Sequence, residues 1–263
     1  MPDAALDLLR HINPLYTLSG LAVGFLVGLT GVGGGSLMTP LLVLVFGIHP
    51  ATAVGTDLLY AAATKTVGTG VHGFKRTVQW NIVGRLAAGS IPATVATLWL
   101  VHQRGGAGGA ITIALGWALI VTALAVLFRQ TIVSALAPRA RGLKPWQVSA
   151  LTVLLGAALG VLVSLTSVGA GALGMTVLLI LYPRTNIAKL VGSDIAHAVP
   201  LTLVAGVGHW MMGSVDWLLL ASLLSGSIPG IILGSTLASR TPDRVLRVLL
   251  AITLVLVGAK LLS

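Results

Sequence analysis

Two aspartates stand inside otherwise apolar stretches, each preceded by a glycine and a hydroxyl residue: Gly55-Thr56-Asp57 and Gly192-Ser193-Asp194. A carboxyl group away from water is costly to leave charged and unpaired. It therefore pairs or exchanges a proton, which makes Asp57 and Asp194 candidate proton carriers. Lys65 shares the stretch of Asp57 and could supply positive charge for an anionic substrate; the alternative is an inert buried Asp57–Lys65 couple. His197 follows Asp194 by one helical turn, on nearly the same side.

The second chemical signal is a pair of glycine clusters, Thr30-Gly31-Val32-Gly33-Gly34-Gly35-Ser36 and Thr166-Ser167-Val168-Gly169-Ala170-Gly171-Ala172. Glycine costs roughly 1 kcal/mol relative to alanine inside a helix, so each cluster predicts a broken helix or a re-entrant turn. A helix start presents unsatisfied N–H groups and the positive end of the helix dipole, an arrangement suited to anions. The candidate substrate-binding residues are Thr30, Gly31, Gly33, Gly34, Gly35, Ser36, Ser167, Gly169 and Gly171, together with Lys65. Thr39-Pro40 reads as the start of the half-helix after the first break, since proline suits the first helical position. The competing reading is that these glycines only let neighbouring helices approach closely.

The elements that must position these groups are apolar helices. The chain is 56% hydrophobic and 8% charged, against about 25% charged in soluble domains, and its mean hydropathy is +1.00. Stretches long enough to cross a bilayer run near 51–72, 82–102, 107–128, 187–212, 215–238 and 243–262. The stretches 15–47 and 147–182 are each too long for one span and are interrupted by the glycine clusters. The fold class is therefore an all-α polytopic membrane protein of about eight transmembrane segments.

The two halves are related. Gly24 aligns with Gly160 at an offset of 136, and after one added residue Asp57 meets Asp194, His72 meets His209, Trp80 meets Trp217 and Gly89-Ser90-Ile91-Pro92 meets Gly226-Ser227-Ile228-Pro229 at 137. Residues 1–263 thus read as one membrane domain of two repeats, 15–128 and 147–262, joined by a basic linker, 129–146. If each broken segment crosses once, the repeats are parallel; if it folds back, they are inverted. Inversion gathers Lys75-Arg76, the linker and Arg240 to Arg247 on one side, which the excess of Lys and Arg in cytoplasmic loops favours.

Sixteen Lys and Arg face six acids, all of them Asp, but the basic residues gather in connections between apolar stretches rather than forming a nucleic-acid surface. There is no Cys and no Glu. No Gly-x-Ser-x-Gly elbow, metal-binding His-Glu-x-x-His or Walker-type loop is present, so neither an enzyme, a metal nor a cofactor is expected. Trp80 and Trp217 read as interfacial anchors, Arg85 as a residue that reaches the interface, and His72 and His209 as structural groups at helix C-termini.

The run Gly28-Leu29-Thr30-Gly31-Val32-Gly33-Gly34-Gly35, Pro40, Ala53-Val54-Gly55-Thr56 and the weaker second copy resemble the TauE/SafE family of sulfite exporters, also called toluene-sulfonate uptake permeases. The resemblance covers nearly the whole chain. It implies a bacterial inner-membrane secondary transporter, an exporter by that association, for a small sulfur-containing anion such as sulfite or an organosulfonate, coupled to protons. A passive anion channel on the same scaffold is the alternative. The partners are that anion and the lipid bilayer; a homo-oligomer stays open, because every segment is apolar. The second copy departs from the motif: Ala170 replaces the middle glycine, and Thr176 stands where Pro40 would align.

Overall fold

A computed structural model of the chain describes residues 13–30, 35–74, 76–103 and 108–237, and within 251–260 all but residues 253 and 257. The described residues form helices and connections, with no strand among them. In chain order the helices are α1 (Pro14–Thr30), α2 (Gly35–Leu44), α3 (Pro50–Phe74), α4 (Trp80–Gln103), α5 (Gly108–Leu127), α6 (Arg129–Ala140), α7 (Pro145–Thr166), α8 (Leu173–Leu181), α9 (Ile187–Met211) and α10 (Trp217–Leu237). The described residues of 251–260 are helical.

Among the described residues, four helices are long and apolar enough to cross a membrane, namely α4, α7, α9 and the Trp217–Gly234 part of α10; a fifth is possible if α5 and α6, bent by 76° at their junction, make one span. Helix α3 has the length, at 25 residues, but carries Asp57, Lys65 and His72.

The second glycine cluster interrupts a helix, and the first falls between α1 and α2, with residues 31–34 outside the described residues. The 17-residue α1 is followed by the 10-residue α2, and the 22-residue α7 by the 9-residue α8. At about 1.5 Å per residue, α2 and α8 are about 15 and 13 Å long, near half the depth of a hydrocarbon core. Contrary to expectation, Thr39-Pro40 does not start α2. The helix begins at Gly35 and contains Pro40, as membrane helices tolerate, while the Thr39 side chain is directed at Asp57.

The most extensive helix pairs are α1 with α10, α4 with α7 and α3 with α9. Backbones touch directly in the first two. A Cβ at Gly20, Gly24, Gly226 or Gly230 would enter the backbone of the α1–α10 partner, and one at Gly89, Gly156 or Gly160 that of the α4–α7 partner. Small residues permit such close approach where lipid removes the hydrophobic drive for helix association.

The contacts exchange between the halves. Gly20 lies on Leu223 and Gly156 on Leu86; Gly24 lies on Ser227 and Gly160 on Ser90. The order of these contacts makes α1 and α10 run together, likewise α4 and α7, whereas Gly206 on Leu59 and Gly68 on Ile195 make α3 and α9 antiparallel. Following the chain, α1–α2 enters and leaves by the end where α3 begins, and α7–α8 enters and leaves by the opposite end.

Candidate functional site

Asp57 lies within α3, fully buried. Val54 and Leu58 on either side of it pack with Leu159 and Val163 of α7 and Ala170 of the second break. Its Oδ2 accepts a hydrogen bond from Thr39 Oγ1 of α2 at 2.5 Å, and the Ser167 side chain stands beside the carboxyl. The break after α7 therefore meets the aspartate of the first half.

Asp194 occupies the aligned position in α9, at 4% exposure. Its Oδ1 approaches the first turn of α8, 2.8 Å from where a Cβ on Gly174 would lie. Any larger residue at 174 would displace the carboxyl. Lys65, half-buried on α3, lies within electrostatic reach of both aspartates. Arg129 at the start of α6 also acts on Asp194.

The break residues adopt the backbone that glycine allows: φ is 118° at Gly169 and 113° at Gly171, and Ser167, which caps α7, takes a left-handed φ of 57°. Outside glycine such a conformation is uncommon. The Gly169 carbonyl accepts the N–H groups of Leu173 at 3.1 Å and Gly174 at 3.2 Å, so the first two donors of α8 are already engaged. In the first break, Gly31, Gly33 and Gly34 lie outside the described residues, as do the side chains of Thr30 and Ser36, while Gly35 begins α2.

Around this centre polar contacts recur in aligned pairs. The Thr56 hydroxyl accepts the N–H of Asp216 at 3.0 Å, and the Ser193 hydroxyl accepts that of Gln79 at 2.8 Å. Tyr60 Oη bonds Ser227 Oγ, and His197 Nε2 bonds Ser90 Oγ at 2.9 Å. Tyr60, Ser90 and Ser227 were not singled out from the sequence, although the aligned Gly-Ser-Ile-Pro runs, with a serine in the middle of each apolar helix, carry the signal.

His209 is buried, and its Nε2–H donates to the Ser164 carbonyl at 2.8 Å, tying α9 to α7. It is structural, but through this bond rather than through exposure at the membrane surface. Beside it is a cavity of about 330 Å³ bordered by Ala51, His102, Ile111, Met212 and Ser214. Gly55, two residues before Asp57, abuts the His209 Cβ and the Ser214 carbonyl that form this wall. Trp80 and Trp217 are exposed at helix starts, and Arg85 bonds the Tyr182 hydroxyl at 3.3 Å.

Several helices long and apolar enough to cross a bilayer make this a multi-pass membrane protein. Residues 16–261 match the family described as Sulfite exporter TauE/SafE, and the chain belongs to that family. It is 40% identical over 250 residues to the probable membrane transporter protein YjnA of Bacillus subtilis (strain 168), covering 93% of this chain and 98% of that protein. It is 28% identical to the probable membrane transporter protein YdhB of the same organism, over 94% of this chain and 99% of the other, and 29% identical to a probable membrane transporter protein of Xylella fastidiosa (strain 9a5c), over 84% and 83%. No solved structure matches the chain significantly.

Proposed function

We propose that this protein is a secondary transporter, acting as an exporter, of a small sulfur-containing anion such as sulfite or an organosulfonate, coupled to protons in the bacterial inner membrane. The observation that carries this reading is that Lys65 lies within electrostatic reach of the buried carboxyls of both Asp57 and Asp194. With both carboxyls ionised, Lys65 and Arg129 are each matched by a carboxylate, so no net positive charge is left to hold an anion. Proton uptake by either aspartate leaves one of these cations uncompensated and able to attract the substrate. Buried ionisable groups in membrane helices mark such pathways.

The family description supports a sulfur oxyanion as substrate. Outward movement of an anion needs no nucleotide, because an elementary charge crossing 100 mV exchanges about 2.3 kcal/mol. The candidate binding residues of this proposal are those of the two glycine clusters, Thr30 to Ser36 and Ser167 to Gly171, together with Lys65. Discontinuous helices of duplicated transporters often meet substrate near the midplane in this manner.

Architecturally, the proposal treats 15–128 and 147–262 as inverted repeats about the linker 129–146. Two features support inversion: the exchanged contacts of Gly24 with Ser227 and Gly160 with Ser90, and the entry of α1–α2 and α7–α8 from opposite ends. The end bearing Arg76, the linker and Arg184 is rich in positive charge, which makes it the cytoplasmic one.

The test is uptake of radiolabelled sulfite into proteoliposomes containing the purified protein, with and without an imposed pH gradient. Saturable, gradient-sensitive flux is expected. Flux that neither saturates nor responds to the gradient identifies a passive channel instead, and absence of sulfite flux with gradient-driven methanesulfonate flux moves the substrate to organosulfonates.

A further inference from the structure

Helix α6 opens the linker between the two aligned stretches and leaves the end of α5 at 76°. Helix α5 begins beside the start of α3, where Ile111 and Ala51 border one cavity with Ser214. Its 20 residues extend about 30 Å at about 1.5 Å each, enough to reach the opposite end, which bears Arg76 and Arg184. A helix turned by 76° from such a span runs close to the plane of the bilayer surface. Its composition agrees: Arg129, Gln130, Thr131, Ser134 and Arg139 fall within 12 residues, too polar a run for passage through hydrocarbon.

The surface of α6 is divided. Its inner side packs against half-helix α8 and buries Ala140. Outward stand the apolar side chains of Phe128, Leu136 and Trp146, at 49%, 42% and 66% exposure. Arg139, Arg141 and Lys144 are exposed with them, and Leu136 and Arg139, three residues apart, share a helix face. The turn that gathers the cations is ordered. Arg141, Gly142 and Leu143 donate their N–H groups to the carbonyls of Pro138, Arg139 and Ala140, and the Lys144 N–H donates to Gln147 Oε1 at 2.8 Å. Among the described residues, the carboxyl groups are those of Asp57 and Asp194, which are buried, and of Asp216, whose N–H bonds Thr56 near the start of α3. None lies at this surface to compensate the three cations.

Helices that lie in the interface seat aromatic and leucine side chains at the acyl boundary, and their Lys and Arg attract anionic headgroups. We infer that α6 and the turn after it form a docking surface for anionic phospholipid, with Arg139, Arg141 and Lys144 holding the headgroup phosphate and Leu136 and Trp146 seated against the acyl chains. Charge decides the class of lipid, because a zwitterionic headgroup carries its own cation beside the phosphate. At the other end of α6, Arg129 acts on Asp194, so a lipid docked here bears on a helix that frames the second aspartate. The inference goes beyond the proposed function, whose substrate it does not involve.

The experiment is thermal melting of the purified full-length protein in detergent micelles, titrated with phosphatidylglycerol, with phosphatidylcholine of the same acyl chains, or with inorganic phosphate. No transport substrate is present, so the outcome is independent of whether the chain carries sulfite. Phosphatidylglycerol should raise the melting temperature saturably, and neither phosphatidylcholine nor inorganic phosphate should do so. The exposed triple variant Arg139→Gln, Arg141→Gln, Lys144→Gln should melt as the wild type does without lipid and need about tenfold or more phosphatidylglycerol for the same shift, as expected when several basic contacts with an anionic surface are lost. Neutralising Arg76, Arg184 and Lys189, three exposed cations at the same end, should change the requirement far less. Should the first variant misfold, the wild type in about 1 M salt, where charges are screened beyond about 3 Å, should show the same loss. An equal shift by phosphatidylcholine or inorganic phosphate, an equal loss in both triple variants, or a shift insensitive to salt overturns the inference.

Discussion

Thr39 Oγ1 donates to Asp57 Oδ2 at 2.5 Å, joining half-helix α2 to α3. The bond sets the orientation of a carboxyl whose other oxygen faces the break after α7. Movement of α2 therefore changes the environment of Asp57 directly, which offers a physical route from a helix break to a protonation event.

Replacing Asp57 by Asn keeps the shape and the Thr39 contact but removes the charge. Gradient-driven sulfite uptake should fall by about tenfold or more, the scale expected for a lost proton-transfer group, while the variant elutes as the wild type does in size-exclusion chromatography. Fully coupled uptake by Asp57→Asn would remove this carboxyl from the mechanism.

Lys65→Met tests the positive charge of the site. The half-saturating sulfite concentration should rise by about tenfold or more, equivalent to about 1.4 kcal/mol of lost binding, with Lys65→Arg restoring part of the affinity. Saturation curves in proteoliposomes distinguish this from a folding defect, which would lower the maximal rate alone.

Glycines on one helix should differ sharply in tolerance. A Cβ at Gly89 would enter the Val153 carbonyl, whereas one at Gly84, also on α4, meets nothing within 4 Å. Gly89→Ala should lose about 1–3 kcal/mol, the usual cost of overpacking, and Gly84→Ala none. Thermal melting in detergent checks the pair; equal melting temperatures would mean that the α4–α7 crossing is looser than described.

Because the chain has no Cys, single cysteines report sidedness cleanly. His49→Cys, after α2, and Arg184→Cys, after α8, should react with a membrane-impermeant maleimide from opposite faces of oriented vesicles, with Arg184→Cys labelled from the cytoplasmic side. Labelling of both from one face would establish parallel repeats.

Much of this arrangement could be read from residue order, for identifiable reasons. Glycine disfavours a helix interior, so the break between α7 and α8 was foreseeable from Gly169 and Gly171, and the offset shared by Asp57 with Asp194 and Ser90 with Ser227 marked aligned polar positions. What residue order does not carry is which helix faces which. The Tyr60–Ser227 and His197–Ser90 bonds each span the two halves and depend on α1–α10 and α4–α7 crossings made by backbone contact. Thr39 illustrates the same gap: next to Pro40 it looks like a cap, and only the packing of α2 on α3 turns its hydroxyl to Asp57.

Counterflow tests most directly whether this is a carrier whose buried Asp57 and Asp194, with half-buried Lys65, handle anion and proton together. Proteoliposomes loaded with unlabelled sulfite are diluted into radiolabelled sulfite at equal pH on both sides. A carrier should accumulate label transiently above equilibrium, and Asp57→Asn should retain this exchange while losing gradient-driven uptake. Label that only equilibrates, with no overshoot, would contradict a carrier mechanism and leave a channel.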